Sequence, residues 1–394
     1  MKYGIYIALL IVMCILGAYV NISLPYTYEM TLRNLGIYKL SLDDMDAQKF
    51  VMMRFGILWI IGMVVLTNGW LRTWFSWVII CLFCHYNAFS LARAHYILFF
   101  LILYQVFKDK LTPKGITIIY NTIAIVVLLN IAWMIAQKGG IEFLYFPRAG
   151  YAGTCIGVYG NTNNSGALIA LGLPVFFRKR WVLGLIPCFI GLWMSNAFVS
   201  IIAVACGSIY FLGLIGAKQW IILILMAVML YAFIGEPVSH FKDGNLRLPY
   251  WTKIYAQVSE KPIKGYGLGM FKYIFPKIDM KTYGAGSPQN RWDAPRTFHK
   301  AHNDYLEMVF NQGYVGLLLF LGFVFSSIQR FSKQGKSSYI SKISLIGILI
   351  AMIVSFGHYM THSTLILLPL FYMIILTNQT KGVSNEEVTC NCMS

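Results

Sequence analysis

A basic, aromatic-rich stretch between Glu236 and Glu307 ends in Phe298-His-Lys-Ala-His-Asn-Asp-Tyr-Leu306. Histidine has a pKa near neutrality, so His302 could accept a proton from a reacting group at working pH. Arginine carries a permanent charge and a planar fork of N–H donors that pairs with two phosphate oxygens, which makes Arg247 a candidate anion ligand. We therefore expect the chemistry of this protein in this stretch.

The composition places the chain in a membrane. Of its 394 residues, 58% are hydrophobic and 12% are charged, which is too little charge to cover the surface of a soluble protein. No ten-residue alternation of apolar and polar residues recurs, so helices are expected to cross the bilayer. The expected fold class is an all-α polytopic membrane protein.

Long apolar runs predict the spans. Crossing about 30 Å of hydrocarbon requires roughly 20 apolar residues. Candidate apolar runs, several of them shorter than this, lie near residues 3–20, 51–67, 72–88, 92–107, 116–136, 165–177, 181–195, 197–217, 219–235, 313–329, 343–357 and 362–377. They predict about twelve transmembrane helices and one large outer loop that contains short helices. The predicted units are an N-terminal bundle of about nine spans, a large outer loop with the candidate site, about three C-terminal spans and a cytoplasmic tail. Their boundaries are 1–235, 236–312, 313–377 and 378–394.

The distribution of lysine and arginine predicts the topology. With both termini cytoplasmic, every strong basic cluster in a short loop falls on the cytoplasmic side, and the 236–312 loop lies outside. These clusters are Lys108–Lys114, Arg178–Arg180, Lys218 and Arg330–Lys342. The formal net charge of +17 is divided between inner loops that touch anionic lipid and an outer surface suited to an anionic substrate. Membrane lipids are expected partners, and nucleic acid is not.

Within the outer loop, residues 245–262 read as an amphipathic helix with one apolar face. The expected members of that face are Leu248, Trp251, Ile254, Tyr255 and Val258. A glycine-rich turn, Gly265-Tyr-Gly-Leu-Gly-Met-Phe271, follows. No strand precedes the turn and no Lys-Ser/Thr closes it, so it does not match a P-loop, although its backbone amides could form an anion nest.

Three segments resemble elements of the O-antigen ligase and polymerase superfamily, in the family's order. His302–Gly316, with His-Asn, a leucine four residues after the histidine and two glycines, resembles the family signature. Gly160–Ala167 resembles its Gly-Asn-Pro-Asn element, and Arg247–Phe271 resembles its Arg, Trp, Pro and Gly-x-Gly-x-Gly-x-Phe element. The resemblance runs from about residue 157 to about residue 320, with the large loop in the family's position.

The resemblance implies an inverting, metal-independent membrane glycosyltransferase that needs no cofactor. Such an enzyme moves a glycan from undecaprenyl pyrophosphate to a hydroxyl, such as that of lipid A-core in lipopolysaccharide synthesis, at the periplasmic face of the bacterial inner membrane. In that family the histidine that matches His302 acts on the acceptor hydroxyl. Arginines hold the donor pyrophosphate, and Arg247 matches one of them. Asn303 and Asn161, from the matching motifs, are expected to bind substrate.

Two departures from the family pattern bear on the pyrophosphate contacts. The family often carries a Ser-Arg pair where this chain has Ser195-Asn196, and it often has Glu where Asn311 stands. Another cation would have to replace the missing arginine. The outer-side candidates for that contact are Arg93, Lys138 and Arg148. Arg54, in the first turn of a predicted span, is a further substrate-binding candidate, because an intramembrane charge is functional by default.

Each candidate also has a purely structural explanation. His302 could cap the helix that enters the next span, Arg247 could be a solvated residue at a helix start, and Arg54 could extend to the membrane interface. His299, three residues before His302, is interpreted as a neighbour and not as a second base.

Two other patterns could suggest a metal. Asp43–Asp46 in the first outer loop resembles the acidic pair of metal-dependent oligosaccharyltransferases, but Ser41-Leu-Asp-Asp44 also fits a helix capping box, which we favour. His358 and His362 have metal-ligand spacing without a third ligand nearby in the sequence. No metal site is therefore predicted.

Other functions stay open at this point. A transporter or flippase would also have about twelve spans, but ion coupling normally needs Asp or Glu inside them, and the central parts of these runs contain none. A non-catalytic scaffold would not need a large basic loop ending in a His-Asn pair. Within the transferases, a ligase, a polymerase and an O-linked protein oligosaccharyltransferase all fit, and the basic loop slightly favours a ligase with a phosphorylated core acceptor.

Overall fold

The structure is a computed structural model that describes residues 2–16, 100–101, 103–141, 155–159, 161–214, 216, 250–271, 274–275, 300–332, 338–358, 360 and 363–378. In these ranges every regular element is a helix and no strand is found. The helical fold class predicted from the composition is confirmed for this part of the chain.

The α-helices with both ends in these ranges are α1 (Lys2–Leu16), α2 (Pro113–Lys138), α3 (Thr162–Gly172), α4 (Leu185–Ser195), α5 (Phe198–Leu214), α6 (Asp304–Ser332), α7 (Tyr339–Gly357) and α8 (Leu367–Asn378). Residues 250–258 are also helical. Short 3-10 turns lie at Gly157–Tyr159, Leu173–Phe177, Lys179–Gly184 and Thr364–Ile366. Each of the eight α-helices overlaps a predicted apolar run, but α6 begins at Asp304, well before the run predicted near 313–329.

Three described helices are long and apolar enough to cross a membrane, namely Pro113–Lys138, Asp304–Gln329 and Tyr339–Gly357. Large apolar side chains also face outward, among them Leu183 with 79% and Trp193 with 76% of their surface exposed. Exposed apolar surface of this kind is typical of a protein that faces lipid. The chain is a membrane protein, whereas the total of about twelve helices and the large outer loop stay predictions.

The helices pack around α8, which is buried along its whole length. α7 packs between α5 and α8, α6 lies against α8, and α1 pairs with α2. Gly4 and Gly115 lie so close that a Cβ atom on Gly4 would overlap the backbone of α2. Small residues allow this close approach of helix backbones, which membrane proteins use where burial from water does not drive association.

The described basic loops lie at one end of this bundle. The Lys342 ammonium of α7 donates to the Leu214 carbonyl at the end of α5, at 3.1 Å. The Tyr339 hydroxyl, also in the first turn of α7, donates to the Phe177 carbonyl, directly before Arg178–Arg180. The loop containing Lys108–Lys114 joins the same end, because the Leu111 N–H donates to the side-chain oxygen of Asn378, the last residue of α8, at 2.8 Å.

The opposite end carries the start of α6. The Tyr305 hydroxyl donates to the Met352 carbonyl in the second half of α7, at 2.9 Å. A Cβ atom on Gly357, the last residue of α7, would overlap the Val199 side chain in the first turn of α5. Because α5 and α7 each reach from one group of contacts to the other, the basic loops and the His302 region lie at opposite ends of the bundle.

Candidate active site

α6 begins at a cap formed by Asn303. Its side-chain oxygen accepts the Leu306 N–H at 3.1 Å, and its carbonyl accepts the Glu307 N–H at 3.0 Å. This is the geometry of an N-cap residue, which satisfies backbone donors that have no partner inside the helix. His302 lies one residue before the cap, so the capping role considered for His302 belongs to Asn303. The predicted role of Asn303 in substrate binding stays a prediction.

The peptide groups that precede His302 are held from both sides. The Ala301 N–H donates to the Glu307 carboxylate at 2.9 Å, and the Ala301 carbonyl accepts the Trp251 indole N–H at 2.8 Å. Ala301 is fully buried, and Glu307 is 3% exposed. The helix at 250–258 and the first turn of α6 therefore fix the backbone at His302 together.

His302 itself has φ of 51°, in the left-handed region. A side chain in that region costs on the order of 1–3 kcal/mol, and such residues persist where the surroundings over-determine them, often at active sites. In the described part of the chain, Asn196 with φ of 49° is the other non-glycine residue of this kind. His302 lies in the segment that resembles the family signature, and Asn196 lies where the chain departs from the family's Ser-Arg pair.

α6 is interrupted at Gly313, which has φ 69° and ψ −177°. The Tyr314 N–H donates to the Pro262 carbonyl at 2.7 Å instead of continuing the helical ladder. A Cβ atom on Gly313 would overlap the Ile263 carbonyl, so this position requires glycine both for its φ and for its contact. The loop that leaves the 250–258 helix passes directly against the break.

The carbonyls released by the break bind the glycine-rich turn. The Phe310 carbonyl accepts the Tyr266 N–H at 2.9 Å, and the Asn311 carbonyl accepts the Gly267 N–H at 2.8 Å. The Asn311 side-chain oxygen accepts the Phe271 N–H at 2.8 Å. These amides therefore bind α6, which argues against the anion nest considered for the turn. The bond from Phe271 also accounts for asparagine at position 311, where the family often has glutamate. Both side chains offer an oxygen that can accept it.

The apolar face of the 250–258 helix differs from the predicted one. Ile254 and Val258 are buried as expected, but Tyr255 is 60% exposed and Tyr250 is 6% exposed. The prediction for Tyr255 was wrong, because the surface that the helix covers is centred on the row from Tyr250 through Ile254 to Val258, one turn apart. Leu248 lies outside the described residues.

Tyr266 further fixes the turn to this helix. Its hydroxyl donates to the Glu260 carboxylate at 2.8 Å, and its ring stacks on Phe310 with centroids 4.6 Å apart. Burial, together with the hydrogen bond and the negative charge of Glu260, raises the pKa of Tyr266 to about 12. The phenol is therefore protonated, and able to donate this bond, at neutral pH.

The match to known proteins covers this region. Residues 152–321 match the O-antigen ligase family. The family resemblance found in the motifs is thus confirmed for the segment from before α3 to the middle of α6. A Rickettsia conorii protein, whose given name proposes that it is a polysaccharide ligase, is 32% identical over 94 residues, which are 24% of this chain and 21% of the relative. The chain thus spans about a fifth of that relative's length.

Within the O-antigen ligase segment, Asn161 caps α3. Its side-chain oxygen accepts the Asn163 N–H at 2.8 Å and the Asn164 N–H at 3.4 Å. The preceding turn is held by α2, whose Gln137 side chain accepts the Gly157 N–H at 2.9 Å. Asn161 therefore organises this element, and its contact with substrate stays a prediction.

The position where the O-antigen ligase family often carries arginine lies beside this element. Asn196 ends α4 in its left-handed conformation. A Cβ atom on Gly166 of α3 would overlap the Ala197 side chain, so the 195–197 turn packs against α3. Val199, two residues after this turn, lies next to Gly357 at the end of the bundle that carries His302. The structure thus places the His302, Asn161 and Asn196 elements at the same end.

The other predicted site residues fall largely outside the described part of the chain. These residues are Arg54, Arg93, Arg148, Arg247, His299, His362 and the Asp43–Asp46 group. Lys138 is exposed in the last turn of α2, at the site end, and His358 is buried after α7. Among the described residues, no group of three or more His, Cys, Asp or Glu could hold a metal ion. The substrate contacts of the arginines and the absence of a metal stay predictions.

The sequence analysis did not single out Glu307. Its carboxylate reaches back to the Ala301 N–H, two residues ahead of the Asn303 cap, in a contact similar to that of a capping box. An asparagine followed four residues later by glutamate, just before an apolar helix, was the signal available for it. The sequence analysis placed Trp251 in a family motif and on an apolar face, but it did not predict the hydrogen bond from Trp251 to Ala301.

Proposed function

We propose that the protein transfers a glycan from undecaprenyl pyrophosphate to an acceptor hydroxyl at the periplasmic face of the inner membrane. The acceptor that fits best is lipid A-core, which makes the protein an O-antigen ligase. The observation that carries the proposal is His302, the residue at the family's catalytic position, held in a left-handed conformation at the end of the bundle that also carries Asn161 and Asn196.

In the proposed reaction, the His302 imidazole accepts the proton of the acceptor hydroxyl. The hydroxyl oxygen bonds to the anomeric carbon of the donor as the bond from that carbon to the pyrophosphate oxygen breaks, with inversion. Undecaprenyl pyrophosphate leaves with the bonding electrons. Arg247 stabilises this departing charge through paired N–H donors, with Arg93, Lys138 or Arg148 in place of the arginine absent at Asn196. Arg54 is a further substrate-binding candidate.

The opposite placement of the basic loops supports this orientation. Arg178–Arg180 and Lys342 lie at the end of the bundle away from His302, and basic loops of multispanning proteins face the cytoplasm. The His302 end then faces the periplasm, where a lipid-linked glycan and a lipid A-core acceptor would meet. The loop 236–312 is strongly basic, which suits a phosphorylated acceptor.

The proposed mechanism uses no divalent cation. We expect glycan transfer to survive EDTA, and a protein with Asp44→Ala and Asp46→Ala to lose about 0.5–2 kcal/mol of helix capping while remaining active. If both treatments abolish transfer at normal protein levels, a metal-dependent mechanism that uses the Asp43–Asp46 group replaces the metal-independent one.

Gene deletion in the host, followed by a lipopolysaccharide gel, tests the proposed acceptor. Loss of all O-antigen together with accumulation of lipid-linked polymer is expected for a ligase. Capping of the core by a single repeat unit would identify a polymerase. An unchanged ladder with altered glycoproteins would identify a protein oligosaccharyltransferase, and accumulation of donor on the cytoplasmic side would identify a flippase.

A further inference from the structure

The backbone at His302 is fixed by side chains that lie outside the His-Asn pair. Glu307 lies one helical turn beyond the cap, and its carboxylate accepts the Ala301 N–H at 2.9 Å. Trp251 comes from the separate helix at 250–258, and its indole N–H donates to the Ala301 carbonyl at 2.8 Å. Both polar atoms of one buried residue are thus bound by side chains from two elements.

We propose that Glu307 and Trp251 are positioning residues, which hold the His302 imidazole in place for proton transfer by gripping Ala301. The inference rests on the proposed function, in which His302 accepts the proton of the acceptor hydroxyl. Neither side chain needs to touch substrate in this role.

The hydrogen bonds to Ala301 are needed because of the backbone conformation of His302. With φ at 51°, His302 relaxes toward the ordinary region unless its neighbours prevent the rotation, because the left-handed region is unfavourable for a side chain with a Cβ atom. On one side the rotation is opposed by the Asn303 cap. On the other side it is opposed by the two hydrogen bonds at Ala301 and by the Tyr250 hydroxyl, which donates to the Lys300 carbonyl at 3.3 Å.

Burial strengthens the two hydrogen bonds at Ala301. Ala301 is 0% exposed and Glu307 is 3% exposed, so water competes little for these hydrogen bonds. A charged acceptor forms a hydrogen bond roughly twice as strong as a neutral one. Loss of the carboxylate would leave the Ala301 N–H buried without its acceptor, which favours rearrangement of the 300–303 backbone and displacement of the imidazole.

Steady-state kinetics of the full-length protein in nanodiscs, with lipid-linked donor and purified acceptor, tests the proposal. Glu307→Leu removes the acceptor, Glu307→Gln keeps an oxygen acceptor without the charge, and Trp251→Phe keeps the ring without its N–H donor. Tyr305→Phe is the matched control, since it removes a hydroxyl hydrogen bond from the same turn of α6, to Met352 and not to Ala301.

Glu307→Leu is expected to lower kcat by about a hundredfold, the scale of a displaced catalytic group. Trp251→Phe is expected to lower kcat in the same way, whereas Glu307→Gln restores most of the turnover and Tyr305→Phe stays near wild type. The KM for the acceptor and the affinity for the donor change little in all four. A general folding defect would lower the amount of active protein without this pattern.

A double variant separates this proposal from the proposed function. If Glu307 acts through His302, adding Glu307→Leu to His302→Ala produces no further loss, because the residues act as a unit. Wild-type kcat in Glu307→Leu or, should that variant not fold, in Trp251→Phe overturns the positioning role. Losses that multiply in the double variant also overturn it. Wild-type kcat in His302→Ala, by contrast, refutes the proposed function whatever the Glu307 variants do.

Discussion

At the scale of single residues, His302 combines a chemically suitable side chain with an unfavourable backbone. Its backbone has φ of 51°, and the residues on either side of it, Ala301 and Asn303, are buried and hydrogen-bonded. Folding stabilises this geometry in advance, so the imidazole need not be ordered at the moment of reaction.

Replacing His302 by alanine tests its role in the chemical step. His302→Ala is expected to lower kcat by about a hundred- to ten-thousandfold, the usual contribution of a positioned acid or base. Donor affinity should stay near that of the wild type, because the lost interaction is made mainly in the transition state. Rate and donor affinity are measured separately with lipid-linked donor. Full activity in this variant would remove His302 from the mechanism.

Arg247 is predicted to act on the donor and not on the acceptor. Arg247→Ala should lower the rate by about a hundred- to a thousandfold, as loss of one transition-state donor does. Arg247→Lys should be nearly as damaging, because a point charge cannot reproduce the bidentate fork. The same assay measures both variants. A lysine variant indistinguishable from wild type would make Arg247 an ordinary surface charge.

At the scale of elements, two family motifs far apart in the sequence form one interlocked unit. The glycine-rich turn donates its amides to the carbonyls of α6 that the break at Gly313 releases, and Tyr314 returns a hydrogen bond to Pro262. Gly265 and Gly313, one from each motif, are therefore explained by close backbone contact and positive φ. This unit connects the 250–258 helix to α6, whose first turn lies just after His302.

Gly313→Ala is expected to break the interlock. The left-handed conformation alone costs about 1–3 kcal/mol for a residue with a side chain, and the new Cβ atom would overlap the Ile263 carbonyl. The midpoint of thermal unfolding in detergent should fall. Gly322→Ala is the matched control in the same helix, because a Cβ atom there meets nothing within 4 Å. Equal stability of the two variants would contradict the interlock.

At the scale of the whole molecule, charge and site are separated along the helix axes. The basic loops at Arg178–Arg180 and Lys342 lie at one end of α5 and α7, and the start of α6 lies at the other. A membrane that holds the basic end at its cytoplasmic face would place His302 at the opposite interface, within reach of a lipid-linked head group.

Cysteine labelling in intact cells tests this orientation. Lys179 and Lys261 are both exposed, and cysteines introduced there should react oppositely with a membrane-impermeant thiol reagent. We expect labelling at Lys261→Cys, and labelling at Lys179→Cys only after the cells are opened. The unmodified chain serves as background for its native cysteines. The reverse pattern would invert the topology and exclude a periplasmic site.

The sequence by itself determined the class of protein, a family resemblance and several local features. Composition and apolar run length predicted membrane helices, because lipid requires backbone hydrogen bonds within each span. The run near 343–357 became α7, and the run near 116–136 became α2. The order of the motifs indicated the resemblance to the O-antigen ligase family, since each motif is a short string of residue types that is visible without a structure.

Only the tertiary structure decided how His302 is held. The bond from Trp251 to Ala301 joins residues 50 apart, and the bond from Phe271 to Asn311 joins residues 40 apart. Periodicity reports which face of a helix is apolar, but not which distant peptide a buried donor will meet. For the same reason the sequence suggested His302 as a cap and Tyr255 as buried, whereas Asn303 forms the cap and Tyr250 fills the face. These outcomes depend on packing between elements, which is settled only when the chain is folded.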